Sequence, residues 1–234
     1  MNRNQLKIIA CISMVIDHIG YILFPDVQLL RLIGRTAMPI FAFFIGEGCF
    51  YTKDRKKYFL RIFILGLICQ LFYIGESLIN GSGDALYFNI LLTFSCSVIV
   101  CSTFLSCRNN PTDKNKFLFL ICIGVFFAVN FAFSFIKEKT GVNICFDYGF
   151  EGTVLPVFAL IYKDEKRKKI MYSAGTVLFA YFTYGIGLYF LFALVPTVFI
   201  CLYNGKAGKK KLNRFFYLFY PLHLAVIYGI SLII

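Results

Sequence analysis

Long apolar runs separated by short connectors make up nearly the whole chain, and this alternation leaves few folds open to it. The runs fall at about 6–24, 29–51, 58–79, 86–106, 117–136, 146–162, 170–184, 188–203 and 215–234. A helix crossing the hydrocarbon core of a bilayer needs about 20 apolar residues, so nine such helices consume most of the 234 residues. No length remains for a soluble catalytic domain. Backbone polar groups cannot go unpaired in lipid, which makes each run a helix. The expected fold is all-α: a polytopic transmembrane helical bundle of about nine spans, with eight to ten as the range, forming one domain over 1–234. No fixed-period repeat or low-complexity linker divides it.

Charge gives the bundle a direction. The net charge is +12, but Lys and Arg occur in short clusters between apolar runs and not along one surface, which excludes nucleic acid as the partner they serve. Placing the N-terminus in the cytoplasm puts five basic groups on one side: Arg3 with Lys7, the 53–61 turn, the 108–116 loop, the 163–169 run and the 206–214 run. Together they hold 20 of the 24 Lys and Arg, the asymmetry expected of cytoplasmic loops. The other face carries Pro25-Asp26, the 75–85 loop, the 137–146 loop and a tight turn at Gly185–Gly187. The expected location is the cytoplasmic membrane, multi-pass, with the lipid bilayer as the first partner. Trp is absent and Tyr numbers 15; Tyr51, Tyr58, Tyr73, Tyr87, Tyr162, Tyr172 and Tyr203 near span ends suit an interfacial aromatic belt. The nine cysteines show no zinc-ligand spacing and read as small apolar fillers, so no metal is expected. Only three apolar residues separate Lys7 from Cys11, too few for a signal-peptide core, so the first span reads as retained.

In such a chain the informative residues are the polar ones inside apolar runs. The first run carries Asp17 and His18. An Asp at a span centre costs about 2.5–3.5 kcal/mol on insertion scales, against about 0.3–0.6 recovered per large aliphatic residue. Asp17 therefore calls for a partner. The tight turn at Phe24-Pro25-Asp26 brings the second run back beside the first, with Arg35 at the depth of His18. Arg31 and Arg35 are four apart on one helical face, and Pro39 is expected to kink the run by freeing the Arg35 carbonyl. Two roles are open to this cluster. Asp17 and Arg35 can clamp two helices in register. Alternatively, His18 serves as general base or acyl acceptor with Arg35 steadying developing negative charge.

Other polar positions admit similar pairs of readings. Glu47, between Gly46 and Gly48, is a rim carboxylate reaching Lys53 or Arg55, or it lines the path of a cytosolic donor. His223, two residues after Pro221, is a rival catalytic His or a group satisfying a carbonyl that Pro releases. Asp147 and Glu151 stand four apart at the start of the sixth run, expected on one helical face with Tyr148 between them, and suit a cationic or amine acceptor or a solvated rim. Gln70, Asn89 and Asn130 read as interhelical hydrogen-bond groups.

Taken in order, Leu6-Lys-Ile-Ile-Ala through Ile16-Asp-His-Ile-Gly20, Leu30-Arg-Leu-Ile-Gly-Arg35 with Pro39 and Ile45-Gly-Glu-Gly48, Tyr58 with Arg61, Asp147-Tyr-Gly149, Tyr203-Asn-Gly-Lys206, and Phe215-Phe-Tyr217 with Phe219-Tyr-Pro221 and His223 resemble the TraX family of polytopic membrane proteins along almost the whole chain. That family is named for a conjugation protein that acetylates the N-terminal amine of pilin, and it is distantly similar to multi-span acyltransferases that use acetyl-CoA. The resemblance implies acetyl-CoA as a cytosolic donor substrate and an acceptor at or beyond the membrane: a protein amine, a peptide or a glycan. On that implication Lys53, Arg55, Lys56, Lys57 and Arg61 with Glu47 face the donor; His18, Asp17, Arg35 and His223 are the catalytic candidates; Arg31, Asp147, Tyr148 and Glu151 face the acceptor. Two other classes stay open: a transporter or flippase binding an ion or small molecule at the buried charges, and a nonenzymatic accessory subunit of a conjugation or secretion system.

Overall fold

Polar side chains cap the starts of five of the described helices. Asn2 and Gln5 form a reciprocal capping box that opens α1 (Arg3–Ile22). After a turn come α2 (Gln28–Gly34) and α3 (Ala37–Tyr51). Asp54 caps α4 (Arg55–Asn80), accepting from the Lys57 N–H. A two-residue strand β1 (Tyr87–Phe88) precedes α5 (Ile90–Asn109), capped by Asn89, and Thr112 caps α6 (Asp113–Thr140). Strand β2 (Cys145–Phe146) pairs in parallel with β1. It leads into α7 (Gly149–Val154), which tightens into a 3-10 helix, Leu155–Leu160. Asp164 caps α8 (Glu165–Tyr184), followed by α9 (Leu188–Cys201) and α10 (Asn213–Ser231). Gly81 and Gly141 end α4 and α6 in the left-handed conformation that a side chain disfavours.

This computed structural model describes residues 1–81, 84–208 and 212–233. Lys209, Lys210 and Lys211 of the 206–214 basic run, the side chain of Arg214, and Ile234 of the last apolar run lie outside the described residues. Among those described, five helical segments are long and apolar enough to cross a membrane: Arg3–Ile22, Gln28–Tyr51, Arg55–Ile79, Ile90–Asn109 and Asp113–Thr140. Gly149–Leu160, Leu188–Cys201 and Phe215–Ser231 are shorter apolar helices. Gly149–Leu160 rises only about 21 Å at 1.5 Å per α and 2.0 Å per 3-10 residue, below a ~30 Å core.

The chain divides into two compact units, Met1–Phe44 with Ile161–Ile234, and Ile45–Leu160. In the first, α1 packs on α2 and α10, and α9 packs on α8 and α2. Gly20 lets α1 approach α2 closely, since a Cβ there would meet the Leu30 Cβ. In the second, α5 is the buried centre, packed by α4, α6 and α7. The α6 helix has no buried residue and exposes Phe117, Leu120, Phe127, Phe131 and Phe135. Such a face suits hydrocarbon and not water.

Several expectations change in the folded chain. The second apolar run is not one kinked helix: it breaks at Arg35-Thr36, whose N–H groups bond to the Leu32 and Ile33 carbonyls. Pro39 consequently sits in the first turn of α3, where a missing N–H costs little, and its carbonyl accepts from the Tyr172 hydroxyl at 2.5 Å. Tyr172, Tyr73 and Tyr203 are buried and belong to no aromatic belt. Asn130 donates to Phe126 within its own helix, not across helices. Gln70 and Asn89 do join neighbouring elements, through Asn89 Nδ2 to Gln70 Oε1 at 2.9 Å and to the Gly66 carbonyl at 2.9 Å. Basic residues at helix ends also reach the end carbonyls of neighbouring helices: Arg55 donates to Cys49, Arg108 to Leu160 and Lys169 to Cys201.

Candidate functional site

Consecutive residues of α1 supply the two halves of the candidate site in the first unit. Asp17 is held by two guanidinium groups, Arg31 Nη1 at 2.7 Å from Oδ2 and Arg35 Nη2 at 2.6 Å from Oδ1. Arg35 also donates from Nε to the Arg31 carbonyl at 3.0 Å and from Nη1 to the Tyr184 hydroxyl at 3.4 Å. Its guanidinium lies 5.9 Å from the ring centroids of both Tyr184 and Tyr189, and that of Arg31 lies 4.9 Å from Tyr21. Gly34 is what permits this clamp, because a Cβ there would overlap the Asp17 carboxylate. Two guanidinium groups against one carboxylate leave a net positive charge, and the side chains are only 10% exposed for Arg35, 14% for Asp17 and 27% for Arg31.

His18 turns to a different neighbour. Its Nδ1 lies 2.7 Å from Nε2 of His223 on α10, and Nδ1 of His223 lies 2.9 Å from the Phe219 carbonyl oxygen. Both rings are buried. Phe219 stacks on His223 with centroids 5.1 Å apart, and Tyr220 meets both imidazoles edge-on. The carbonyl that Pro221 releases by lacking an N–H belongs to Tyr217, four residues earlier; His223 bonds instead to Phe219, which corrects the expectation that it satisfies the freed group. The two histidines, rivals in the sequence, form one pair.

The other candidates lie in the second unit. Glu47 is buried and not at an exposed rim. Its flanking glycines have a packing reason: a Cβ on Gly46 would press on the Pro156 carbonyl and one on Gly48 on the Tyr58 hydroxyl. Lys53, Lys56, Lys57 and Arg61 are exposed, whereas Arg55 is committed to the Cys49 carbonyl. The Lys57 N–H holds the Asp54 carboxyl below its ordinary range. Asp147 and Glu151 do not share a helical face, because α7 begins only at Gly149 and Tyr148 turns into the left-handed region at φ 60°. Asp147 is tied down by Tyr87, whose hydroxyl donates to Oδ1 at 2.6 Å, and its backbone bonds to Phe88 and Thr93. Burial, then the Asp147 charge, raises the Tyr87 pKa well above the ordinary tyrosine value.

Tyr184 and Tyr189, which flank Arg35, are contributors that the sequence reading missed. Their only sequence signal is a pair of tyrosines around the Gly185–Gly187 turn.

The TraX protein family model matches residues 2–231. The chain belongs to the TraX family. Among curated relatives, a protein of Dichelobacter nodosus named "Probable fimbrial assembly protein FimC, serogroup H1" is 29% identical over 257 aligned positions, covering 97% of each chain. An uncharacterised protein of Rickettsia prowazekii (strain Madrid E) is 48% identical over 70 residues, 30% of this TraX-family chain and 26% of its own. No solved structure matches. Family and apolar helices together make this a membrane protein of a family that includes a fimbrial assembly relative.

Proposed function

We propose that this protein is a membrane-embedded acetyltransferase that moves an acetyl group from cytosolic acetyl-CoA to an amine or hydroxyl at or across the membrane. A pilin-like N-terminal amine is the acceptor that the family resemblance and the fimbrial relative favour. The observation that carries the reading is the buried His18–His223 pair, attached one residue from a net-positive Asp17–Arg31–Arg35 cluster.

The chemistry follows from those groups. The acceptor nitrogen attacks the thioester carbonyl, a C–N bond forms, and the C–S bond to coenzyme A breaks. His18 takes the proton that the nitrogen must lose and returns it to the departing thiolate, so the products are the acetamide and the free thiol. The net positive charge beside His18 favours the oxyanion of the tetrahedral intermediate. Exposed Lys53, Lys56, Lys57 and Arg61 suit the phosphates of the donor, and buried Glu47 lines its path. Arg31 is the first unit's candidate for the acceptor side, and Asp147, Tyr148 and Glu151 are those of the second. The bundle crosses the cytoplasmic membrane about nine times with its N-terminus and basic loops inside. The Gly149–Leu160 segment is short for a crossing, and Thr153, Leu155, Val157 and Leu160 bury it in protein, where irregular backbone at membrane depth is tolerated.

Purified full-length protein incubated with labelled acetyl-CoA and membrane extract, followed by mass spectrometry, tests the proposal. Transfer of label to an acceptor, lost in His18→Ala, is the expected result; absence of both donor binding and labelling would overturn it. The relative's name favours one second reading, a nonenzymatic subunit of fimbrial assembly. In that case assembly would survive His18→Ala.

A further inference from the structure

We infer that His223 is a positioning residue that fixes the tautomer of His18, leaving Nε2 of His18 as the bare, basic nitrogen of the pair. The deduction needs the donor and acceptor capacities of the groups in contact and two neutral imidazoles. The Phe219 carbonyl oxygen, 2.9 Å from Nδ1 of His223, can only accept, so that nitrogen carries a hydrogen. A neutral imidazole has one N–H, and Nε2 of His223 therefore presents its lone pair. His18 Nδ1, 2.7 Å away, must be the donor. The hydrogen of neutral His18 is thereby fixed on Nδ1, and its Nε2 is bare. Among the described residues that nitrogen has no hydrogen-bond partner and neither ring has an ion-pair partner. The stack of Phe219 on His223 and the edge contacts of Tyr220 hold both rings in this register.

The relay runs from His18 through His223 to a backbone carbonyl, which takes the place a carboxylate holds in other acid–base arrangements. When Nε2 of His18 accepts a proton, its Nδ1–H remains bonded to His223, and no second proton has to move. For neutral rings the tautomer follows from these contacts; its catalytic consequence rests on the acetyl-transfer reading above.

Because the chain has two histidines, ¹⁵N-histidine labelling of the full-length protein in detergent yields two imidazoles. Both are expected as Nδ1–H tautomers, and His223→Gln, whose amide oxygen still accepts from His18, leaves a single Nδ1–H ring. His223→Leu removes the acceptor, so the remaining ring populates Nε2–H, kcat for acetyl transfer falls by roughly 10²-fold or more and KM stays within about twofold. His223→Gln recovers kcat to within about tenfold of the unsubstituted protein. An Nε2–H tautomer of His18 in the unsubstituted protein would overturn the assignment, whatever the activity. Unchanged kcat in folded His223→Leu would overturn the positioning role while leaving acetyl transfer intact. Failure of the unsubstituted protein to transfer acetyl, with both rings found as Nδ1–H, would overturn the proposed function and sustain the tautomer assignment.

Discussion

At the scale of single residues, the decisive group is the Asp17 carboxylate. It accepts from Arg31 and Arg35 at 2.7 and 2.6 Å while largely shielded from solvent. Removing one member of a buried ion pair leaves uncompensated charge and costs about 3–5 kcal/mol. Asp17→Asn is accordingly expected to lower the melting temperature of the protein in detergent by several degrees, and an unchanged melting curve would show that the clamp contributes nothing. The Asp17–Arg35 contact was legible in the sequence because an unpaired Asp is costly in lipid and a tight turn fixes which residues lie opposite it. That Arg31 reaches the same carboxylate was not legible, since it depends on how closely Gly34 lets the helices approach. The His18–His223 contact was also hidden, because the partners are 205 positions apart and no spacing rule links the ends of a bundle.

At the scale of elements, the break between α2 and α3 places Pro39 where its carbonyl receives the buried Tyr172 hydroxyl. Tyr172→Phe keeps the ring and its edge contact with Phe43 but loses that bond, so a destabilisation of about 1 kcal/mol is expected by denaturant titration. In the second unit, Tyr87 joins β1 to the start of α7 through Asp147. Its raised pKa means the folded state keeps the phenol proton when the unfolded chain has lost it. The contribution is complete below the ordinary value of about 10 and is lost as pH rises through the folded value. Stability should therefore fall above pH ~10, and Tyr87→Phe should flatten that alkaline limb in thermal melts at stepped pH; an unaltered limb would refute the linkage. Asp54, Thr112 and Asp164 cap helices from just ahead of their runs, whereas Asn89 caps α5 from inside the fourth run. The sixth run misled because an apolar run does not mark where its helix begins: α7 starts only at Gly149, behind the left-handed Tyr148, so Asp147 and Glu151 share no helical face.

At the scale of the whole molecule, the proposed orientation makes an expectation that needs no assay of activity. With the native cysteines replaced, a membrane-impermeant maleimide applied to intact cells should label Lys139→Cys and spare Lys56→Cys. The reverse pattern would invert the orientation and remove acetyl-CoA access to the 53–61 turn. The sequence by itself determined the solvent, the helical class and the family, because each is a property of composition, run length and local order: lipid forces helices, and most charges stay at their ends. Only the tertiary structure decided which polar groups meet. Apolar runs look alike to one another in sequence, and the pairing of α1 with α10, hence of His18 with His223, is set by side-chain packing that no linear pattern records.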